Sequence, residues 1–89
     1  MDELKKNCVV LVQLEDPLRS LKEIVEYFGL RKIVVENLLL YNGEKDLAKL
    51  EVHCMLEKDR MNQLFFFLDH HKKVKQVELM TNHKRQENY

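Results

Sequence analysis

The chain has 89 residues, 45% of them hydrophobic and 34% charged, and its 15 basic and 15 acidic side chains cancel to a formal net charge of +0. That describes one folded domain with a thin core rather than a disordered chain. It lacks the basic excess of nucleic-acid and membrane-surface binders, so neither partner is expected, and no apolar run is long enough to span a bilayer.

Residues 1–6 read as a polar lead-in. Residues 7–28, NCVVLVQLEDPLRSLKEIVEYF, anchor the domain. Positions 8–14 are apolar apart from Gln13, a run that suits a strand covered on both faces. Asp16 and Pro17 stop it: an Asp carboxylate can cap free amides of a first helical turn, and Pro at the first helical position gives up no hydrogen bond. Leu18, Leu21, Ile24, Val25 and Phe28 then share one helical face, with Arg19, Lys22, Glu23 and Glu26 away from it. Gly29 stands where a helix C-cap is expected.

Residues 31–41 read as a second strand, with Ile33, Val35, Leu39 and Tyr41 on one face and Val34, Leu38 and Leu40 on the other. Asn42-Gly43 signals a turn, which residues 44–46 extend into a longer hairpin loop. Residues 47–56 alternate cleanly, Leu50, Val52, Cys54 and Leu56 against Lys49, Glu51, His53 and Met55. Asp59 is expected to cap a second helix with Met61, Leu64, Phe65 and Leu68 buried. His70, His71, Lys72 and Lys73 suit its negative end. Residues 74–80 form a last strand, Val77 and Leu79 against Val74 and Met80, before a polar tail over 81–89.

The order β-α-β-β-α-β, with right-handed crossovers, predicts an α+β fold. It is a ferredoxin-like sandwich: a four-stranded antiparallel sheet with the first and third strands central and both helices on one face. The uncovered face is then expected to carry Val9, Leu11, Val34, Leu38, Leu40, Met55 and Val74, more apolar surface than a monomer leaves in water. A homodimer is expected, with Val34, Leu38, Leu40 and Met55 at its interface.

Chemistry-bearing residues are sparse. Cys8 and Cys54, the two cysteines, lie in apolar strands and read as reduced, buried thiols; neighbouring strands would allow a disulfide, which a reducing compartment disfavours. The start MDELKKN has no following apolar run with a cleavage site, so a cytoplasmic protein is expected. His53 and Cys54 point to opposite faces of a strand, and His70 and His71 diverge by about 100° on a helix. With His83, these residues lack the spacing of a metal site, and no cofactor is expected. Ser20 has no nearby His, the glycines stand alone, and no catalytic set emerges. Aromatic residues sit mainly on helices rather than strands, unlike an RNA-binding sheet. Of Phe65, Phe66 and Phe67, which cover about 200° of helix, at least one must face outward, packing on the first helix or meeting a partner.

The junction LVQLEDPLRSLKEIVEYF resembles the ACT domain family over about residues 7–80: a strand, an acidic residue, a Pro-containing loop, then a helix with Leu and Ile at Leu21 and Ile24. The resemblance implies a non-catalytic regulatory module, dimeric, binding a small molecule such as an amino acid at the intersubunit interface through the loop after the first strand. Asp16, Pro17, Leu18 and Arg19 occupy that loop. Leu18 stands where the family usually has Gly, placing a side chain where backbone approaches ligand. Alternatives are an interaction module pairing through its open sheet and a metal-responsive regulator.

Overall fold

A computed structural model describes residues 5–81, so most of the lead-in and tail, His83 included, lies outside the described residues. The elements are β1 (Lys6–Leu14), α1 (Pro17–Leu30), β2 (Val34–Asn42), β3 (Ala48–Leu56), α2 (Lys58–Asp69) and β4 (Val74–Thr81). The strands form one antiparallel sheet in the order β2-β3-β1-β4. The expected ferredoxin-like βαββαβ sandwich is the observed architecture.

The core lies between the sheet and the helices. Cys8, Val10, Val12 and Leu14 of β1 interleave with Leu50, Val52, Cys54 and Leu56 of β3, and Ile24, Phe28, Met61, Leu64 and Leu68 cover them. β1 is apolar on both faces but covered on one: Val9 and Leu11, on the open side, are only half-buried.

Several local expectations are corrected. Leu18 and Val25 are exposed, and the buried line of α1 is instead Ser20, Ile24 and Phe28, spaced by four. Gly29 lies inside α1. The left-handed position belongs to Lys32 (φ 56°), where Ile33 N–H donates to the Phe28 carbonyl (3.0 Å) and Lys32 N–H to that of Gly29 (3.2 Å). This is a Schellman closure without glycine. The tight turn of the β2–β3 hairpin is Lys45-Asp46, both with positive φ, closed by Leu47 N–H to the Glu44 carbonyl (3.0 Å). Gly43 serves a different need: a Cβ there would come within 3.0 Å of the Leu47 oxygen. Glu57, not Asp59, precedes α2 as its N-cap, and Asp59 sits in the first turn. Phe65 is exposed. It lies about 70° from the centre of the Met61, Leu64, Leu68 stripe, on the side away from Phe67, which packs on α1.

The largest correction concerns face assignment. A bulge between Val35 and Asn37 inserts Glu36, so Val35 pairs with Cys54 but Leu38 pairs with Val52 and Leu40 with Leu50. Side chains alternate with period 2, so one extra residue moves everything after it to the opposite face. Leu38 and Leu40 therefore lie on the helix-covered face, while Val34 and Met55 pair with each other on the open one. A second irregularity after Gln13 pairs Leu14 with Val74, putting Val74 on the covered side, where it packs against the core.

Candidate functional site: the strand-to-helix corner and the open sheet face

The chain turns from β1 into α1 through Glu15 and Asp16. Asp16 has φ 50° and ψ 61°, a left-handed conformation that Asp tolerates better than most residues. Its carboxylate makes no capping bond; it lies 3.7 Å from Arg19 Nε. The backbone does the capping. The Asp16 carbonyl accepts from Arg19 N–H (3.1 Å) and Ser20 N–H (3.0 Å).

Ser20 is 0% exposed and locks the corner from beneath. Its hydroxyl reaches the carbonyls of Glu15 (2.9 Å) and Asp16 (3.0 Å). Composition alone did not mark it, although a Ser four residues past a strand-ending Asp on the buried line of a helix is a readable signal. Glu15 ties the corner to the turn between α2 and β4 and to the start of β4: its N–H donates to the Lys73 carbonyl (2.8 Å), and its carboxylate pairs with Lys75 (3.1 Å). Of the four corner residues expected to meet a ligand, Asp16 and Arg19 are brought together, Pro17 opens the helix, and Leu18 projects outward, 80% exposed.

The second region is the open sheet face. Val34, Leu39, Tyr41 and Met80 are exposed there, beside half-buried Val9, Leu11 and Met55. Glu51 sits among them, opposite Leu11 on one neighbouring strand and Leu39 on the other. Its carboxylate accepts from the Tyr41 hydroxyl (3.0 Å) and from His53 Nε2–H (2.6 Å). Glu51 and His53, two apart in a strand, necessarily share a face; Tyr41 joins them only because of the bulge at Glu36. The His53 bond first, then the Tyr41 bond, holds the Glu51 carboxyl below its ordinary value. The same bond pushes the Tyr41 phenol upward, because ionisation would forfeit it and set a second negative charge beside Glu51. A depression of about 150 Å³ lies alongside, bordered by Leu11, Gln13, Tyr41, Lys49 and Gln76.

Among the described residues, no three His, Cys, Asp or Glu side chains are grouped to hold a metal ion. His70 donates from Nδ1 to the Phe66 carbonyl (3.0 Å), and His71 bridges Glu23 (Nε2, 2.7 Å) and the Lys73 N–H (Nδ1, 3.1 Å). Cys8 and Cys54 are directly opposed across β1 and β3, free and buried. Among the described residues, no helix is long and apolar enough to cross a membrane.

No sequence-family model matches the chain, and no curated protein matches it significantly. Solved structures do. The C-terminal domain of the MgtC protein from Mycobacterium tuberculosis superposes with a TM-score of 0.74 at 16% identity, over 94% of this chain and 95% of that one. The ACT domain of GTP pyrophosphokinase from Chlorobium tepidum superposes with a TM-score of 0.72 at 14% identity, over 85% of this chain and 99% of that one. A putative glycine cleavage system transcriptional repressor gives 0.58 at 15% identity, over 92% of this chain and 50% of that one. The chain therefore has an ACT-like fold.

Proposed function

We propose that residues 7–80 form a non-catalytic regulatory module that pairs with a second copy through its open sheet face and senses a small molecule at the β1–α1 corner. The observation that carries this reading is the exposed apolar set on that face: Val34, Leu39, Tyr41 and Met80, around Val9, Leu11 and Met55. Seven such side chains on one sheet face are more than a monomer ordinarily leaves in water. A second copy suits the surface: Glu51 is already paired with His53, and a chain of net charge +0 does not repel itself. Val34 and Met55 belong to this interface; Leu38 and Leu40, on the other side of the sheet, do not.

At the corner, Asp16 and Arg19 offer a carboxylate and a guanidinium to a zwitterion, and amino acids are the first class to test. Leu18 would contact the ligand with a side chain. A ligand seated between protomers shifts their arrangement only if it binds two arrangements unequally. Regulatory neighbours of the same fold, an ACT domain and a putative transcriptional repressor, support the class of role.

Light scattering after size exclusion, over a range of concentrations, tests the assembly; a monomer at high concentration overturns it. Thermal shift with free amino acids tests sensing, since a ligand bound only by the native state raises Tm. A dimer that no amino acid stabilises reduces the role to assembly alone.

A further inference from the structure

α1 carries a second line of residues besides its buried one. Arg19, Glu23 and Tyr27, with Arg31 just past the helix end, recur every four positions and border an open cleft of about 860 Å³ between the helices. No strand residue lines it, so it belongs to the helical layer, opposite the face proposed for pairing, and one copy contains it whole. The volume falls within the range of small-molecule sites, about 300–1,000 Å³.

Its floor is aromatic. Tyr27 and Phe67 stack nearly parallel with centroids 4.0 Å apart, and Phe66 stacks on His70 at 4.1 Å. Helix packing accounts for the first pair, which fastens α1 to α2. It does not account for the second: Phe66 is 63% exposed, with one ring face left to solvent. The helices are antiparallel, and this orders the cations. Arg31, 5.4 Å over the Tyr27 ring, marks one end, where Arg60 of α2 also bonds the Arg31 carbonyl. Arg19, Lys72 and Lys73 mark the other. Among the described residues neither lysine enters an ion pair. Glu23, the sole carboxylate lining the cleft among the described residues, is held by His71. In a chain of zero net charge this is a concentrated positive site.

The exposed Phe66 ring can take a planar partner, since stacking of a base on an aromatic side chain is favourable and tolerates any base. A single carboxylate would be satisfied by one arginine; Lys72 and Lys73, with Arg19 beside them and 3.7 Å from the Asp16 carboxylate, call for a group with several negative oxygens. We propose that the inter-helix cleft binds a nucleotide, its base stacked on Phe66 and its phosphates at Arg19, Lys72 and Lys73.

The test is an amide-shift titration of the full chain with ATP, adenosine, tripolyphosphate and a short single-stranded oligonucleotide, at low and physiological salt. ATP is expected to move amides of residues 19–31 and 62–73. Adenosine and tripolyphosphate should each bind about tenfold or more weaker, because each lacks half of the recognition. Phe66→Ala changes an exposed position and should weaken ATP about tenfold with Tm unchanged; the double variant Lys72→Ala, Lys73→Ala, one exposed and one half-buried position, should weaken it about tenfold as well. Equal binding of ATP and tripolyphosphate, unaffected by Phe66→Ala, would overturn the proposal in favour of a nonspecific anion patch. Oligonucleotide binding without ATP binding, or shifts confined to the sheet, would overturn it equally.

Discussion

Ser20→Ala probes whether the corner is held as described. The hydroxyl has one proton and two carbonyl neighbours, Glu15 at 2.9 Å and Asp16 at 3.0 Å. The Asp16 carbonyl keeps two amide donors when the hydroxyl is removed, so the loss falls on Glu15. A buried carbonyl left unsatisfied costs about 1–3 kcal/mol. Glu15 is only half-buried and water can reach part of it, which favours the lower end. Alanine is also the better helix former, returning up to about 0.5 kcal/mol. The net expectation is a destabilisation of about 0.5–1.5 kcal/mol. At a urea m-value of about 1 kcal/mol/M, the midpoint falls by about 1 M, and Tm drops by roughly 4–8 °C per kcal/mol in a domain of this size. Urea unfolding at one fixed protein concentration measures it, since a dimer couples stability to concentration. Hydrogen exchange at the Arg19 and Ser20 amides should stay protected. A variant as stable as the parent would refute the reasoning, and loss of protection at both amides would show that the hydroxyl, not the Asp16 carbonyl, organises the turn.

Other outcomes rest on the same geometry. Leu39→Glu should convert the dimer to monomer in light scattering, whereas Leu38→Glu, on the covered face, should unfold the chain; equal effects would contradict the bulge at Glu36. In a carbon-detected pH titration, Glu51 should ionise below the ordinary carboxylate value of 4.5, and His53→Ala should move it back upward. Because the folded value is the lower one, the stabilisation is present above 4.5 and is lost as pH falls through the folded value. The Cys8 sulfur, sharing its hydrogen bond, and then burial push the Cys54 thiol up. Cys8 and Cys54 are each 1% exposed, so neither should react with Ellman's reagent until the chain unfolds; rapid reaction of the native protein would contradict the burial.

Much of this architecture is local and legible in the chain. The period-2 run of β3 assigns its buried face because nothing interrupts the alternation, the unbroken apolar run of β1 marks a central strand without naming its covered side, and the buried Met61, Leu64 and Leu68 follow from helical spacing. The junction at Asp16-Pro17 marks where strand becomes helix. Element order then leaves few topologies, since crossovers between parallel strands keep one hand. What the chain could not reveal depends on partners distant in sequence. Glu36 bulges out of the pairing of β2 with β3, and that single insertion reverses Leu38 and Leu40 and brings Tyr41 to Glu51. Left-handed turns fall on Asp16, Lys32, Lys45 and Asp46 rather than on either glycine, because closure geometry outweighs the modest penalty a side chain carries there. The inter-helix cleft is the clearest case. Arg19, Glu23, Tyr27 and Arg31 look like a solvated face when α1 is taken alone. Only the antiparallel packing of α2 sets Phe66, His70 and two lysines across from them, and no spacing within either helix records that meeting.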